Sequence, residues 1–298
     1  MNCKMKNCIF IIFITSFVLL ISSCSTVENK TVIGKNSITT DNKGKYIQEL
    51  SPKRTDLNDN TSKDSKGSYN SKSMIYEITN TNHNKKRVMI NYPQITNLVD
   101  NKKQGRINEI LKLDALKVLN FYEKADNELS LNINYDIKWQ SKNLLSVQYS
   151  GLGYIKGGAY PNNLFYTTNI DMNKGIKLRL SDIVNVNEIF VEKFRNGKYI
   201  ASTTEMKSKL EVSFNYIVEN FTSDNLIEYF NKADLLFDIK NSSYTFSYLT
   251  QNSLGISIAV PHAIGDHAEF EIKYSDILEN LNFKNDVIKN LIDETKTE

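Results

Sequence analysis

Cysteine is nearly missing: the 298 residues contain three, and Cys3, Cys8 and Cys24 all lie at the very start. Nothing downstream is left to build a disulfide framework, a zinc site or a thiol nucleophile. An excess of one charge is missing too. The 37 basic and 34 acidic residues give a net charge of +3, too little for the electrostatic footprint that phosphate backbones require, so nucleic acid is excluded as a partner. There is no glycine-rich phosphate loop, no strand-flanked G-x-S-x-G and no H-E-x-x-H, and the histidines are three: His83, His262 and His267. No catalytic residue, metal site or cofactor is assigned on this basis. What is present is an apolar fraction of 40%, enough for a core at this length and against wholesale disorder.

The amino terminus carries Lys4 and Lys6, then the apolar run from Cys8 to Ile21, then Ser22, Ser23 and Cys24. A basic start, a short apolar stretch and small residues before a cut point are the layout of a secretory signal. The run is shorter than the roughly 20 residues a spanning helix needs. Ile21-Ser22-Ser23-Cys24 resembles a bacterial lipobox, so residues 1–23 are expected to be a lipoprotein signal and Cys24 the lipidated residue, carrying diacylglycerol and palmitate. An uncleaved anchor with an incidental cysteine is the alternative; both place the rest outside the cytoplasm, at the extracytoplasmic face of the membrane. Loss of Lys4 and Lys6 with the signal leaves 35 basic against 34 acidic residues, so acyl chains rather than a polybasic patch would do the anchoring.

Residues 24–73 are rich in Ser, Thr, Asn, Lys, Asp and Gly, with isolated apolar positions at no period. Such a stretch buries too little to offset its chain entropy and is expected to be a flexible tether. Periodic signals begin near Met74. Val88, Ile90 and Tyr92 alternate before Pro93, which marks a strand end or an edge. Ile107, Leu111, Ala115, Val118 and Tyr122 recur every three or four residues and predict an amphipathic helix. Leu129, Leu131, Ile133, Tyr135, Ile137 and Trp139 are expected on one face of a strand, with a turn at 140–143 and a second run of Leu145, Val147 and Tyr149. Further strands are expected near 164–170, 176–180, 244–248, 254–260 and 268–274. Ser181 or Asp182 is expected to cap a helix running into Val186–Phe194, and Met206, Leu210, Phe214, Ile217 and Phe221 mark another helix. The pattern predicts an α+β fold of antiparallel sheets with helices packed on one face.

Two segments are candidate contact regions. In Gly151–Asn163, glycines at 151, 153, 157 and 158 permit positive φ and close backbone approach, while Tyr154 and Tyr160 supply amphipathic area suited to recognition. Tyr154, Gly157, Gly158, Tyr160 and Pro161 are therefore candidate ligand-binding residues, against the plain reading that they turn and fill a hairpin. In the turn PHAIGDH, His262, Asp266 and His267 are the second candidate set; turn chemistry alone also accounts for them. Carboxylate pairs such as Asp171 with Asp182, or Glu269 with Glu271, could serve as a glycosidase acid and base, but scattered acids in a chain of this size generate such pairs, and Glu269 and Glu271 alternate with Phe270 and Ile272 as the solvated face of a strand.

The stretch GGAYPNNLFYTTNIDMNKGIKLRLSDIV, with GISIAVPHAIGDHAEFEIKYSDIL near the end, resembles an extracytoplasmic domain of unknown function. That domain occurs in the lysozyme-sensing anti-sigma factor RsiV and in the non-catalytic part of the peptidoglycan deacetylase PdaC. The resemblance rests on Gly158-Ala159-Tyr160-Pro161, Asn169-Ile170-Asp171, Gly175 and Leu180-Ser181-Asp182. The part with Tyr92-Pro93 and the helix from Ile107 is similar to the smaller domain that precedes it. The resemblance implies a smaller α+β part at 74–140, an RsiV-like α+β domain at 141–298, and a binding module rather than an enzyme. It implies a lysozyme-like muramidase, peptidoglycan or another envelope protein as partner. Neither a sigma-binding region nor a deacetylase domain with metal-binding histidines is found here, so those activities do not transfer. An envelope hydrolase or esterase with a non-standard site, and a structural envelope or spore-assembly lipoprotein, are the competing expectations.

Overall fold

The computed structural model of the chain describes residues 75–123, 128–196, 204–236 and 244–295. The expected signal 1–23, Cys24 and the tether 24–73 lie outside the described residues, as does the side chain of Met206. Among the described residues no helix is long and apolar enough to cross a membrane.

Six strands form one sheet in chain order: β1 (Glu77–Lys85), β2 (Val88–Thr96), β3 (Leu129–Gln140), β4 (Leu144–Ile155), β5 (Asn162–Asp171) and β6 (Ile176–Leu178). A second, antiparallel sheet contains β7 (Phe246–Leu249), β8 (Ser253–Ala259) and β9 (His267–Lys273). The helices are α1 (Asn101–Leu116), α2 (Leu180–Ile183), α3 (Glu188–Arg195), α4 (Thr204–Asn220), α5 (Ser223–Asn231) and α6 (Asp286–Thr295). The α+β class stands. One pairing departs from the antiparallel expectation: β2 and β3 run parallel through Val88–Leu131 to Ile90–Ile133. The physical reason is α1, whose length supplies the crossover that parallel strands need. Because this pairing stops at Ile90, Pro93 sits where β2 has lost that neighbour and its missing N–H costs nothing.

The predicted face is the buried one: Ile107, Leu111 and Ala115 of α1 are fully inside, as is Val118 in the 3-10 helix Lys117–Tyr122, into which the expected helix tightens. Asp100 caps the helix by accepting from Lys103 N at 2.9 Å. Tyr149 and Tyr166, directly opposite on β4 and β5, stack at 4.8 Å, and their hydroxyls donate to the carbonyls of Leu111 and Ala115. Thus one face of the large sheet is sealed by α1. The helix after β6 differs from expectation. Two short helices replace one, and the longer, α3, is capped by Asn187, which accepts from Phe190 N. Asp182 instead reaches back to Arg179 N in the first turn of α2; Asp171 holds the 173–175 turn by accepting from Asn173 N and Lys174 N. Each of these acids holds a local backbone turn.

Trp139 also departs from expectation. A β-bulge lies between Ile137, opposite Val147, and Trp139, opposite Ser146. An extra residue reverses the alternation, so Trp139 leaves the face of Leu131 and Ile133 and enters a second core with Leu144, Phe190, Phe194, Phe230, Ile256 and Phe270. In that core Phe194 of α3 and Phe214 of α4 meet Phe270 of β9 edge-on, at 5.4 Å and 6.2 Å. The position 140/141, expected as a domain boundary, falls in the turn that joins β3 to β4 of one sheet.

Candidate functional site

The two candidate segments come together in space. The chain leaves β8 at Ala259, makes a single 3-10 turn at His262–Ile264, and enters β9 through Gly265 (φ 119°) and Asp266 (φ 68°). Two consecutive left-handed residues reverse the strand direction tightly, and Asp is among the few side-chain types that tolerate that backbone. The turn aims the Asp266 carboxylate two ways. One oxygen accepts from Asn163 N at 2.7 Å and Asn163 Nδ2 at 3.2 Å, and both lie within 3.0 Å of His262 Nδ1. The imidazole in turn lies flat against Tyr160, with ring centroids 3.7 Å apart and an interplanar angle of 6°. A carboxylate from the turn leading into the second sheet is thereby bonded to β5 of the first, and it also holds the imidazole that stacks on Tyr160.

Tyr160, at 54% exposure, has one ring face covered by His262. Tyr154, next to the end of β4, donates to the Gly158 carbonyl at 3.1 Å and so shapes the loop that presents Tyr160. Gly157 adopts φ +87°, the conformation that only glycine takes freely. Pro161 precedes β5, and Gly158 sits with its N–H on the Ile155 carbonyl. Gly151 and Gly153 lie inside β4 rather than in the loop; a Cβ on Gly153 would meet the Tyr122 hydroxyl at 2.1 Å. Their part is close packing of a strand.

Beside this clamp lies a cleft of about 410 Å³, lined by the candidate residue His267 and by Asn163 and Gly265 of the two candidate segments. Its other walls include Lys138, Tyr248, Glu269 and Glu271, residues that the sequence reading left out of the site. Glu269 and Glu271 are half-buried here, not on an open solvated face. The cause is cross-strand register: Tyr248, Gly255 and Glu271 are directly opposite one another on β7, β8 and β9. Gly255 has no side chain, so the Tyr248 ring lies across it, where a Cβ would fall 2.1 Å from the ring, and its hydroxyl donates to Glu271 at 3.0 Å. The Lys138 ammonium sits 4.5 Å from the Tyr248 ring centre and 4.0 Å from Glu271. Burial, then the negative charges of Glu269 and Glu271, push the Tyr248 phenol well above its ordinary range, so it remains a donor. His267 packs on Phe165 at 5.0 Å and approaches Glu269 at 3.7 Å. Lys138 lies by plain alternation on the face opposite Leu131 and Ile133, which the sequence alone reads as solvated; the pairing of β7, β8 and β9 beside it is what makes that face a cleft wall.

Chemically, the arrangement offers a flat aromatic surface and a cleft whose rim mixes donors and acceptors of both charges. Among the described residues no group of three or more His, Cys, Asp or Glu side chains is placed to hold a metal ion.

Residues 78–163 match the family described as Deacetylase PdaC. No curated protein matches the chain. Among solved structures, the chain is similar to a DUF3298-family protein from Bacteroides fragilis, with 16% identity, a TM-score of 0.40, and coverage of 72% of this chain and 97% of that one. It is also similar to a DUF3298-family protein from Pseudomonas aeruginosa PAO1, at 13% identity and a TM-score of 0.38, covering 70% of this chain and 94% of that one.

Proposed function

We propose that this chain is a cell-surface lipoprotein whose folded region is a non-catalytic binding module, held at the membrane through Cys24 on the 24–73 tether, for an envelope component or an incoming lysozyme-like muramidase. The observation that carries the reading is the clamp of Tyr160, His262, Asp266 and Asn163. It spends a carboxylate, an imidazole and a backbone N–H on fixing an exposed aromatic ring beside a cleft, which is the rigid, partly open surface that recognition favours. The signal-like start supports both an extracytoplasmic setting and lipidation.

The test has two arms. Palmitate labelling and membrane fractionation should both be lost in Cys24→Ala; retention of both overturns the lipoprotein part. Saturable binding of peptidoglycan or a muramidase by the purified protein is expected, and binding of neither removes the module. A structural envelope role would then show as crosslinking to another envelope protein in cells.

A second reading, an envelope hydrolase or esterase, draws on one observation: Asp266 holds His262 Nδ1, as a carboxylate orients a catalytic imidazole. No hydroxyl or thiol is hydrogen-bonded to His262 among the described residues, which weighs against it. Loss of activity on cell-wall fragments in His262→Ala would support this alternative.

A further inference from the structure

We infer that the cleft and the Tyr160 ring together form a glycan site, with one pyranose stacked on Tyr160 and its neighbour in the sugar chain seated between Tyr248, Glu269, Glu271 and Lys138. The inference rests on the binding-module reading and names its ligand class. Three features of the molecule point the same way. A pyranose presents an apolar face of C–H groups, and Tyr160 offers an exposed flat ring held parallel to His262, with its tilt fixed through Asp266. The platform is continuous with the cleft because Asn163 and the turn at Gly265 to His267 belong to both. Around the cleft, the Tyr248 hydroxyl lies 3.0 Å and the Lys138 ammonium group 4.0 Å from the Glu271 carboxylate, with Glu269 and Lys209 on the same walls. Hydroxyl groups both donate and accept, so a polyhydroxylated chain satisfies such a rim. Mixed charge without a dominant sign gives little selection for a strongly basic or acidic protein surface. A volume of about 410 Å³ also falls within the range of small-ligand sites.

Gly255 is the positioning residue of this site: it makes room for the Tyr248 ring, which delivers the hydroxyl to Glu271.

The experiment is calorimetric titration of the purified full-length protein, in detergent, with three tetrasaccharides: chitotetraose, its fully deacetylated counterpart, and cellotetraose. Lysozyme is titrated in parallel. Saturable binding of at least one tetrasaccharide is expected, weakened tenfold or more by Tyr160→Ala and by Glu269→Gln, with Trp139 fluorescence unchanged in both variants as a check of folding. A preference for the deacetylated probe would place an ammonium group against Glu269 and Glu271; a preference for the acetylated one would assign that position to a neutral sugar. Lysozyme binding without tetrasaccharide binding overturns the glycan inference and leaves the binding module standing. Failure of all four probes, with insoluble peptidoglycan also unbound, overturns both. Tetrasaccharide binding that is indifferent to Tyr160→Ala also overturns the inference, since it would place the sugar elsewhere.

Discussion

Asp234 and Asp266 share a backbone conformation, with φ of 65° and 68°, and each carboxylate joins the two sheets. Their surroundings could hardly differ more. Asp234 is 4% exposed and accepts from Leu180 N, Ser247 N and Ser247 Oγ, all at 2.7 Å, with Thr167 Oγ1 at 3.4 Å. It ties α2, β5 and β7 in one buried knot, to which Asn169 and Ser146 add bonds to Ser247 and Leu249. Asp266 has fewer donors, sits at the edge of a cleft and fixes an exposed ring. The same chemical group and strand-crossing role thus produce a structural pin at one end and a presented surface at the other. What separates them is water: the buried acid must be satisfied by protein alone, whereas the one at the cleft can share its lone pairs with solvent or a ligand.

The largest expected effect comes from breaking the buried member. Asp234→Ala strands the Leu180 and Ser247 N–H groups away from water; at about 1–3 kcal/mol for each unsatisfied buried donor, the loss is on the order of 4 kcal/mol. Urea denaturation followed by the fluorescence of Trp139, the single tryptophan, measures it. A loss below about 1 kcal/mol would mean that the knot relaxes or hydrates. A pH series sharpens the point. Burial, outweighing the hydrogen bonds from Ser247 and Leu180, raises the Asp234 carboxyl above its ordinary range. Folding therefore favours its protonated form, and this contribution is present in full below the unfolded carboxyl range and is lost as pH rises through the raised value. The wild-type chain should gain stability relative to Asp234→Asn as pH falls through that window, and a flat difference would contradict the burial argument.

The contrast also shows what the sequence could reveal. The face of α1 was legible because Ile107, Leu111 and Ala115 repeat at the helical period and nothing interrupts them. The hairpin of β3 and β4 was legible up to Ile137, where the bulge reverses the alternation and sends Trp139 into the other core. β1 was not legible: Ile78 is its single aliphatic residue, and it pairs along an edge largely through its backbone. At the site, Tyr160, His262 and Asp266 stood out by composition, and their convergence is set by contacts 103 residues apart, such as Asn163 with Asp266. Lys138, Tyr248, Glu269 and Glu271 were hidden because their cleft depends on the pairing of β7, β8 and β9, which no local period encodes. Asp234 was hidden for the same reason: nothing near it in sequence distinguishes a loop aspartate from a buried knot.

An intermediate effect is expected at Gly255, between the two extremes. Alanine there puts a methyl group 2.1 to 2.4 Å from three atoms of the Tyr248 ring, so the ring must lift away from β8 and release Glu271. Overpacking of this kind costs about 1–3 kcal/mol. Denaturation would read that loss, and an unchanged midpoint would mean that the ring swings into the cleft at no cost.

The smallest stability effect belongs to Asp266→Asn. The amide keeps an acceptor for Asn163 N and replaces one carboxylate oxygen with a donor, at a half-buried position where solvent can compensate. A change of about 1 kcal/mol or less is expected by denaturation. The conformational effect should be larger than the energetic one. His262 loses an anionic partner, so the imidazole and the Tyr160 ring stacked on it should gain motion. Ring resonances of Tyr160 and His262 followed by NMR report this directly: broadened or shifted signals with nearly unchanged stability would show that Asp266 orders a surface rather than supporting a fold. A loss comparable to that of Asp234→Ala would instead make the two aspartates equivalent pins and erase the distinction between buried knot and presented ring.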